Sequence, residues 1–195
     1  MGLCAALIFL AAWFSFVYNN SKFNQDFRGK RMTYLETDRL FIRNFEATDL
    51  DELVDYRNNV LCNKYQRSQY QDRNRLAIFI EEAREDDLFS VGKKHFAVAE
   101  KDCNQIIGDI FVLIKEPTIS LGFTVSYKHH RKGYAYEFLA ALVEAFHQKF
   151  RDYEIVACTD MENIASINLL SKLQFKNQVY IKQIDSYVFS KFAKQ

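Results

Sequence analysis

Apolar positions change period several times along residues 39–192, and each change marks an element. Arg39–Phe45 alternates apolar and polar residues, which predicts a strand. Thr48 is placed to cap a helix whose first turn holds Asp49, Asp51 and Glu52, with Leu50, Leu53 and Val54 as its apolar face. Leu76, Phe79, Ile80 and Ala83 recur at helical spacing and predict a second helix over Asp72–Arg84. His95–Glu100, Gln105–Ile114 and Thr118–Ser126 read as three successive strands, the first two joined by the turn-like Lys101–Asn104. The clearest signal is Gly133–Phe150, where Ala135, Phe138, Leu139, Leu142, Val143 and Phe146 form one helical stripe. Glu154–Thr159 reads as a short buried strand. Asn163 can cap a further helix with Ile164, Ile167, Leu170 and Leu173 inward, and strands near Phe175–Lys182 and Asp185–Phe192 close the chain.

The predicted order is β-α-α-β-β-β-α-β-α-β-β. Antiparallel strands lead into a strand–helix–strand crossover, which brings parallel neighbours together. That is an α/β (α+β) layer structure rather than a doubly wound nucleotide fold. Within residues 32–195 there are no repeats, low-complexity tracts or linkers, so one domain is expected there.

The first 31 residues are a separate matter. Leu3–Tyr18 is almost wholly apolar, at the short end for a membrane span. No basic segment precedes it, so a signal peptide fits poorly, and Met-Gly-Leu-Cys-Ala-Ala lacks the Ser or Thr of a myristoylation signal. Lys22, Arg28, Lys30 and Arg31 follow it, which for a membrane anchor would place the downstream domain in the cytoplasm. Three readings stand: translated sequence upstream of a natural start at Met32, a membrane anchor, or a buried or partner-facing helix. A membrane partner is expected only under the second.

Composition narrows the function classes. The formal net charge of +1 lacks the basic excess of a duplex binder, so no nucleic-acid partner is expected. Cys4, Cys62, Cys103 and Cys158 are widely spaced and form no CxxC or Cys/His set, which predicts reduced thiols, a cytoplasmic setting and no metal site.

Candidate chemistry concentrates in residues 121–137. A strand ends near Ser126, a basic loop of Lys128, His129, His130, Arg131 and Lys132 follows, and a helix opens at Gly133. Backbone N–H groups at a helix start lack partners and carry positive partial charge, so they favour phosphate. Gly133 lets a ligand approach the backbone without a side chain in the way. A tight turn with solvated basic residues would leave the same local signature.

The wider pattern resembles the GNAT acyltransferases, in particular the branch with ribosomal-protein N-terminal acetyltransferases. Glu36–Arg43 looks like that branch's opening strand and Ile107–Gly108 like its third-strand glycine. His130-Arg-Lys-Gly-Tyr-Ala135 occupies the family's pyrophosphate motif. Asn163-Ile-Ala-Ser166 with Leu169, Leu170, Leu173 and Phe175 looks like its second cofactor helix.

The resemblance implies a mixed, mostly antiparallel sheet of about seven strands flanked by about four helices. Its fourth and fifth strands, here Thr118–Ser126 and Glu154–Thr159, would splay where acetyl-CoA inserts. The pantetheine would pair with backbone at Phe123, Thr124 and Val125. The loop residues His130, Arg131, Lys132, Gly133, Tyr134 and Ala135 would hold the pyrophosphate, and Asn163 and Ser166 would face the pantetheine arm and thioester. The implied reaction is direct attack of a neutral amine, from a protein N-terminus or a small molecule, on the thioester. Ser166 and Asn163 are the candidate catalytic residues, with helix capping and cofactor contact as the competing roles. A homodimer is among the expected assemblies.

There are departures. His130 replaces the usual Arg or Gln, Arg131 stands where Gly is common, and Gln174 stands where the family often has Gly, with little consequence expected. Ser120 replaces a Glu that in relatives binds substrate or acts as base, so the base is unassigned among Glu116, His95 and water. That gap keeps a non-catalytic acyl-CoA-binding or sensing module as the alternative. His147 is expected at the solvated surface. The acidic run Glu81, Glu82, Glu85, Asp86 and Asp87 reads as a solvated helix end or as an attractor for a cationic acceptor.

Overall fold

A computed structural model describes residues 32–66 and 72–193. The apolar stretch Leu3–Tyr18 lies outside the described residues, as does any choice among its three readings. Among the described residues no helix is long and apolar enough to cross a membrane.

The strands are β1 (Thr33–Glu36), β2 (Leu40–Arg43), β3 (Gly92–Glu100), β4 (Ile106–Lys115), β5 (Thr118–Val125), β6 (Glu154–Thr159), β7 (Lys176–Ile181) and β8 (Ser186–Lys191). The helices are α1 (Leu50–Asn58), α2 (Val60–Asn63), α3 (Arg73–Ala83), α4 (Tyr134–Lys149) and α5 (Ile164–Lys172). One sheet of eight strands runs in the order β1-β2-β3-β4-β5-β6-β8-β7. All neighbours are antiparallel except β5 and β6, which α4 joins as the expected crossover. The α/β (α+β) expectation therefore stands, with one strand and one helix more than anticipated. The extra strand is β1. Glu36–Arg43 is not one strand but the end of β1, a turn and β2, so the splayed pair is β5 and β6. The extra helix is the single turn α2.

Each face of the sheet carries its own core. On one, Phe96, Val98, Ile110, Val112, Ile119 and Leu121 meet the α4 stripe Phe138, Leu139, Leu142, Val143 and Phe146, all buried, with Ala135 packed against them. Each such side chain contributes about 1.5–3 kcal/mol relative to exposure. On the other face, Phe45, which follows β2, and Leu53, Tyr56, Leu76, Phe79, Ile80 and Ala83 from α1 and α3 cover Ala97 and Ile106.

Three local expectations are corrected. Thr48 does not cap α1. A 3-10 turn at Ala47–Asp49 precedes the helix, and the Glu46 N–H donates to Asp49 Oδ2 at 2.8 Å. Ile164 does not point inward: it sits in the first turn of α5 and is 59% exposed, while Leu170 and Leu173 are buried. Gln174 is not neutral in its effect. It ends α5 with φ of 64°, a left-handed conformation that glycine adopts without strain, while Phe175 N–H closes back on Leu170 O at 3.0 Å. Gln174→Gly is expected to stabilise the chain by about 0.5–1 kcal/mol, read as a higher urea midpoint at unchanged slope.

Candidate functional site

The site forms where β5 and β6 part. Their parallel pairing covers only Thr118–Leu121 against Glu154–Ala157. Beyond Leu121, among the described residues, β4 is the only strand that pairs with β5. Ser126 N–H donates to Ile107 O at 2.7 Å, and pairing alternates every second residue. Gly122 and Thr124 therefore exchange bonds with β4, whereas Phe123 and Val125 turn their N–H and C=O groups to the open edge.

Among the described residues, three side chains meet that edge. Gln66 Nε2 donates to Phe123 O at 3.3 Å and to Thr124 Oγ1 at 3.1 Å. His130 Nε2 lies 3.0 Å from Val125 O, and Cys62 Sγ donates to the same oxygen at 3.4 Å. Since a carbonyl only accepts, His130 Nε2 carries the proton. Thus His130 folds back onto the strand instead of reaching outward with the loop.

Arg131 has φ of 64° and Gly133 of 82°, so the chain turns through left-handed backbone twice before α4 begins. This explains why Gly is common at the first position and present at the second. Among the described residues no acceptor takes the N–H of Arg131, Lys132, Gly133, Tyr134 or Ala135. Successive free amides at a helix start form an anion-binding concavity. The side chains of Arg131 and Lys132 are exposed.

The loop is braced from beneath by residues that the sequence reading did not single out. Arg39 Nε and Nη2 bond Glu137 Oε2 at 2.7 and 2.6 Å, and its Nη1 donates to Lys132 O at 3.2 Å. Thr37 Oγ1 donates to Glu137 Oε1 at 2.6 Å. Burial pushes the Glu137 carboxyl up, but the bonds from Thr37 and Arg39 outweigh it and leave it below the usual carboxylate value. Tyr134 packs its ring under the Arg39 guanidinium at 4.3 Å and donates to Glu100 Oε1 at 2.7 Å. Tyr134 thus has a packing role. An acid in the first turn of α4 is visible in the sequence, but nothing there pairs it with a residue 98 positions upstream.

Asn163 caps α5: its Oδ1 accepts the Ser166 N–H at 3.1 Å. Tyr65 OH donates to Glu162 O at 3.1 Å, and the next residue, Gln66, holds Phe123. Residues 65 and 66 thereby tie the start of α5 to the open edge of β5. The loop and the edge are likewise joined, by His130.

On the α1/α3 face a cavity of about 630 Å³ opens beside Phe123 and Thr124. Asp109 is buried at its base, where Tyr56 OH donates to Oδ2 at 2.6 Å and Arg57 Nη2 to Oδ1 at 3.1 Å. Burial, then the Asp109 charge, pushes the Tyr56 hydroxyl well above its ordinary value, so it remains a donor. His95 lies on the wall between Phe79 and Phe111, ring centroids 4.8 and 5.4 Å away. Glu82 and Asp86 of the acidic run reach the same wall, while Glu81 pairs with Arg84. Glu116 is excluded as a base: it is exposed in the β4–β5 turn, roughly 20 Å along the strand from Phe123. His147 is not freely solvated but half-buried, and burial lowers its pKa.

Burial lowers His95 from the ordinary 6.5 to about 4, with Asp109 opposing in part. The unfolded chain therefore takes up this proton first as pH falls. The stability from neutral His95 is fully present above 6.5, is lost as pH falls from 6.5 to 4, and totals about 3 kcal/mol at most. His95→Phe is expected to flatten the urea-midpoint profile across that window, measured against the wild type.

An acetyltransferase (GNAT) domain model matches residues 39–176. Over 172 residues the chain is 27% identical to the uncharacterized N-acetyltransferase p20 of Bacillus licheniformis, covering 82% of this chain and 96% of p20. The crystal structure of a GNAT-family acetyltransferase from Bacillus anthracis superposes with a TM-score of 0.71 at 21% identity, covering 84% of this chain and all 100% of that one. The self-immunity acetyltransferase MccE of microcin C7, solved with acetyl-CoA and AMP, superposes at 0.65 and 15% identity over 80% of this chain and 93% of its own. The matched span takes in the braced loop, the parted strands and the capped α5, and the chain belongs to the GNAT acetyltransferase family.

Proposed function

We propose that the chain is an acetyl-CoA-dependent N-acetyltransferase acting on a primary amine, either a protein N-terminus or a small molecule. One observation carries the reading: the row of free amides from Arg131 to Ala135 stands at the head of α4, joined through His130 to the open edge at Val125. The donor set fits a diphosphate, since main-chain N–H groups bind phosphate whatever side chains they bear. Phe123 and Val125 offer strand-edge groups that suit the amides of a pantetheine. MccE, with acetyl-CoA in its crystals, shares this fold.

Acetyl-CoA, when bound, would supply the activated acetyl group as a thioester and leave as the CoA thiol. The chain's residues then have three tasks. The amides of Arg131–Ala135 and the edge of β5 fix the donor in place, and positioning supplies much of the rate in such transfers. The 630 Å³ cavity beside Phe123 and Thr124 admits the amine, with neutral His95 and the carboxylates of Glu82 and Asp86 on its wall. Asn163 fixes the first turn of α5, where Ser166 offers a hydroxyl as proton donor. Ser120 shares the β5 face of Gly122 and Thr124 but has no acid-base group, which leaves amine deprotonation to His95 or water.

The test is a thiol-release assay with the purified full chain, acetyl-CoA and a panel of small amines and peptides with free N-termini. Amine-dependent release of free thiol is expected. CoA binding without any amine-dependent release would instead establish a sensing module.

A further inference from the structure

We propose that His130 sets the chain's affinity for acyl-CoA by competing with the pantetheine for the Val125 carbonyl. The inference rests on the reading of Phe123–Val125 as the pantetheine edge. A carbonyl oxygen has two lone pairs. At Val125 both are taken, by His130 Nε2 at 3.0 Å and Cys62 Sγ at 3.4 Å. A ligand amide can bond there only if one donor leaves.

The two donors differ in how they are held. Cys62 is 8% exposed, and its Sγ accepts the Tyr127 N–H at 3.2 Å. Burial pushes its thiol pKa up, which keeps its proton in place. His130 is exposed, on a loop residue whose own N–H makes a long 3.4 Å bond to Tyr127 O. Rotating its ring into water disturbs no packing, whereas moving Cys62 would disturb the α2 turn. Hence the ring yields. The open edge is thus satisfied by the chain's own side chain, which a pantetheine amide bonding at Val125 must displace. Among the described residues Phe123 O accepts only from Gln66, at 3.3 Å, and keeps a lone pair for the ligand, so Val125 is where the competition falls.

The test compares two ligands that share a diphosphate but differ in reach. CoA carries the pantetheine arm; ADP does not. Calorimetric titrations of the full-length wild type and His130→Ala with each should show CoA binding roughly three- to tenfold tighter in the variant, the worth of one net hydrogen bond, with ADP unchanged. In the wild type, the His130 ring resonances should shift on saturation with CoA but not with ADP. Two results would overturn the proposal: equal weakening of both ligands, which would make His130 a phosphate contact, or identical CoA affinity in the two proteins. Failure of both proteins to bind CoA, with or without the acetyl group, would remove the acyl-CoA reading itself, a result distinct from either.

Discussion

Replacing Asp49 with alanine is expected to cost about 3–5 kcal/mol of folding stability, seen as a melting point lower by roughly 10 °C. Arg43 is fully buried, and its guanidinium meets Asp49 in a bidentate fork at 2.7 and 2.8 Å. Its other bonds run to Asn44 O, Asn104 Oδ1 and Asn104 O, at 2.9, 2.9 and 3.1 Å. Every guanidinium donor has a partner only while Asp49 is present. Removing the carboxylate leaves two guanidinium donors unpaired and the buried cation with only the half-exposed Glu46 carboxylate, 3.9 Å from Nε, to compensate it, and such broken buried pairs are costly. The double variant Arg43→Met with Asp49→Leu removes both charges and should be more stable than Asp49→Ala alone. If the single variant melted within two degrees of wild type, the fork would have no structural weight. The network also fixes the entry into α1, and α1 carries the Tyr56 and Arg57 that hold Asp109 under the cavity.

The second large effect concerns binding. Gly133→Val is expected to weaken CoA binding at least tenfold while lowering stability by only about 1–2 kcal/mol. A β-branched residue does not tolerate φ of 82°, so the loop must rearrange and its amides diverge. Loss of even one charge-assisted bond is worth about 1.5–3 kcal/mol, or ten- to a hundredfold in affinity. Space is not the obstacle: a Cβ at this position would find Arg39 Nη2 at 3.7 Å, an ordinary contact. Gly133→Asn separates the two causes, because asparagine accepts left-handed backbone and should keep affinity within about threefold. Equal loss in both variants would point to a role for the absent side chain rather than for the backbone angle.

The sequence told most about what is local and periodic. The α4 stripe is buried as its spacing predicts, β6 begins and ends where its apolar run does, and Asn163 caps α5. The loop at 130–135 was legible because its residues are contiguous and its glycine marks a bend. What escaped has physical reasons. β1 is a four-residue edge strand with no buried residue, so it carries no hydrophobic period. The brace of Arg39 on Glu137 joins residues far apart in sequence. The cavity draws its walls from α1, α3, β3, β4 and β5, and no single segment contains enough of it to be read. Arg131 and Gln174 showed as departures from a glycine pattern, but only the backbone angles reveal that both positions demand left-handed geometry.

Everything functional here depends on the free amides ahead of α4 being a diphosphate seat. Competition calorimetry on the full-length wild type tests this most directly. One CoA is expected to bind per chain and to be displaced by ADP, which carries the diphosphate and nothing of the arm. CoA binding that ADP cannot displace, or no heat with CoA or acetyl-CoA, would contradict it.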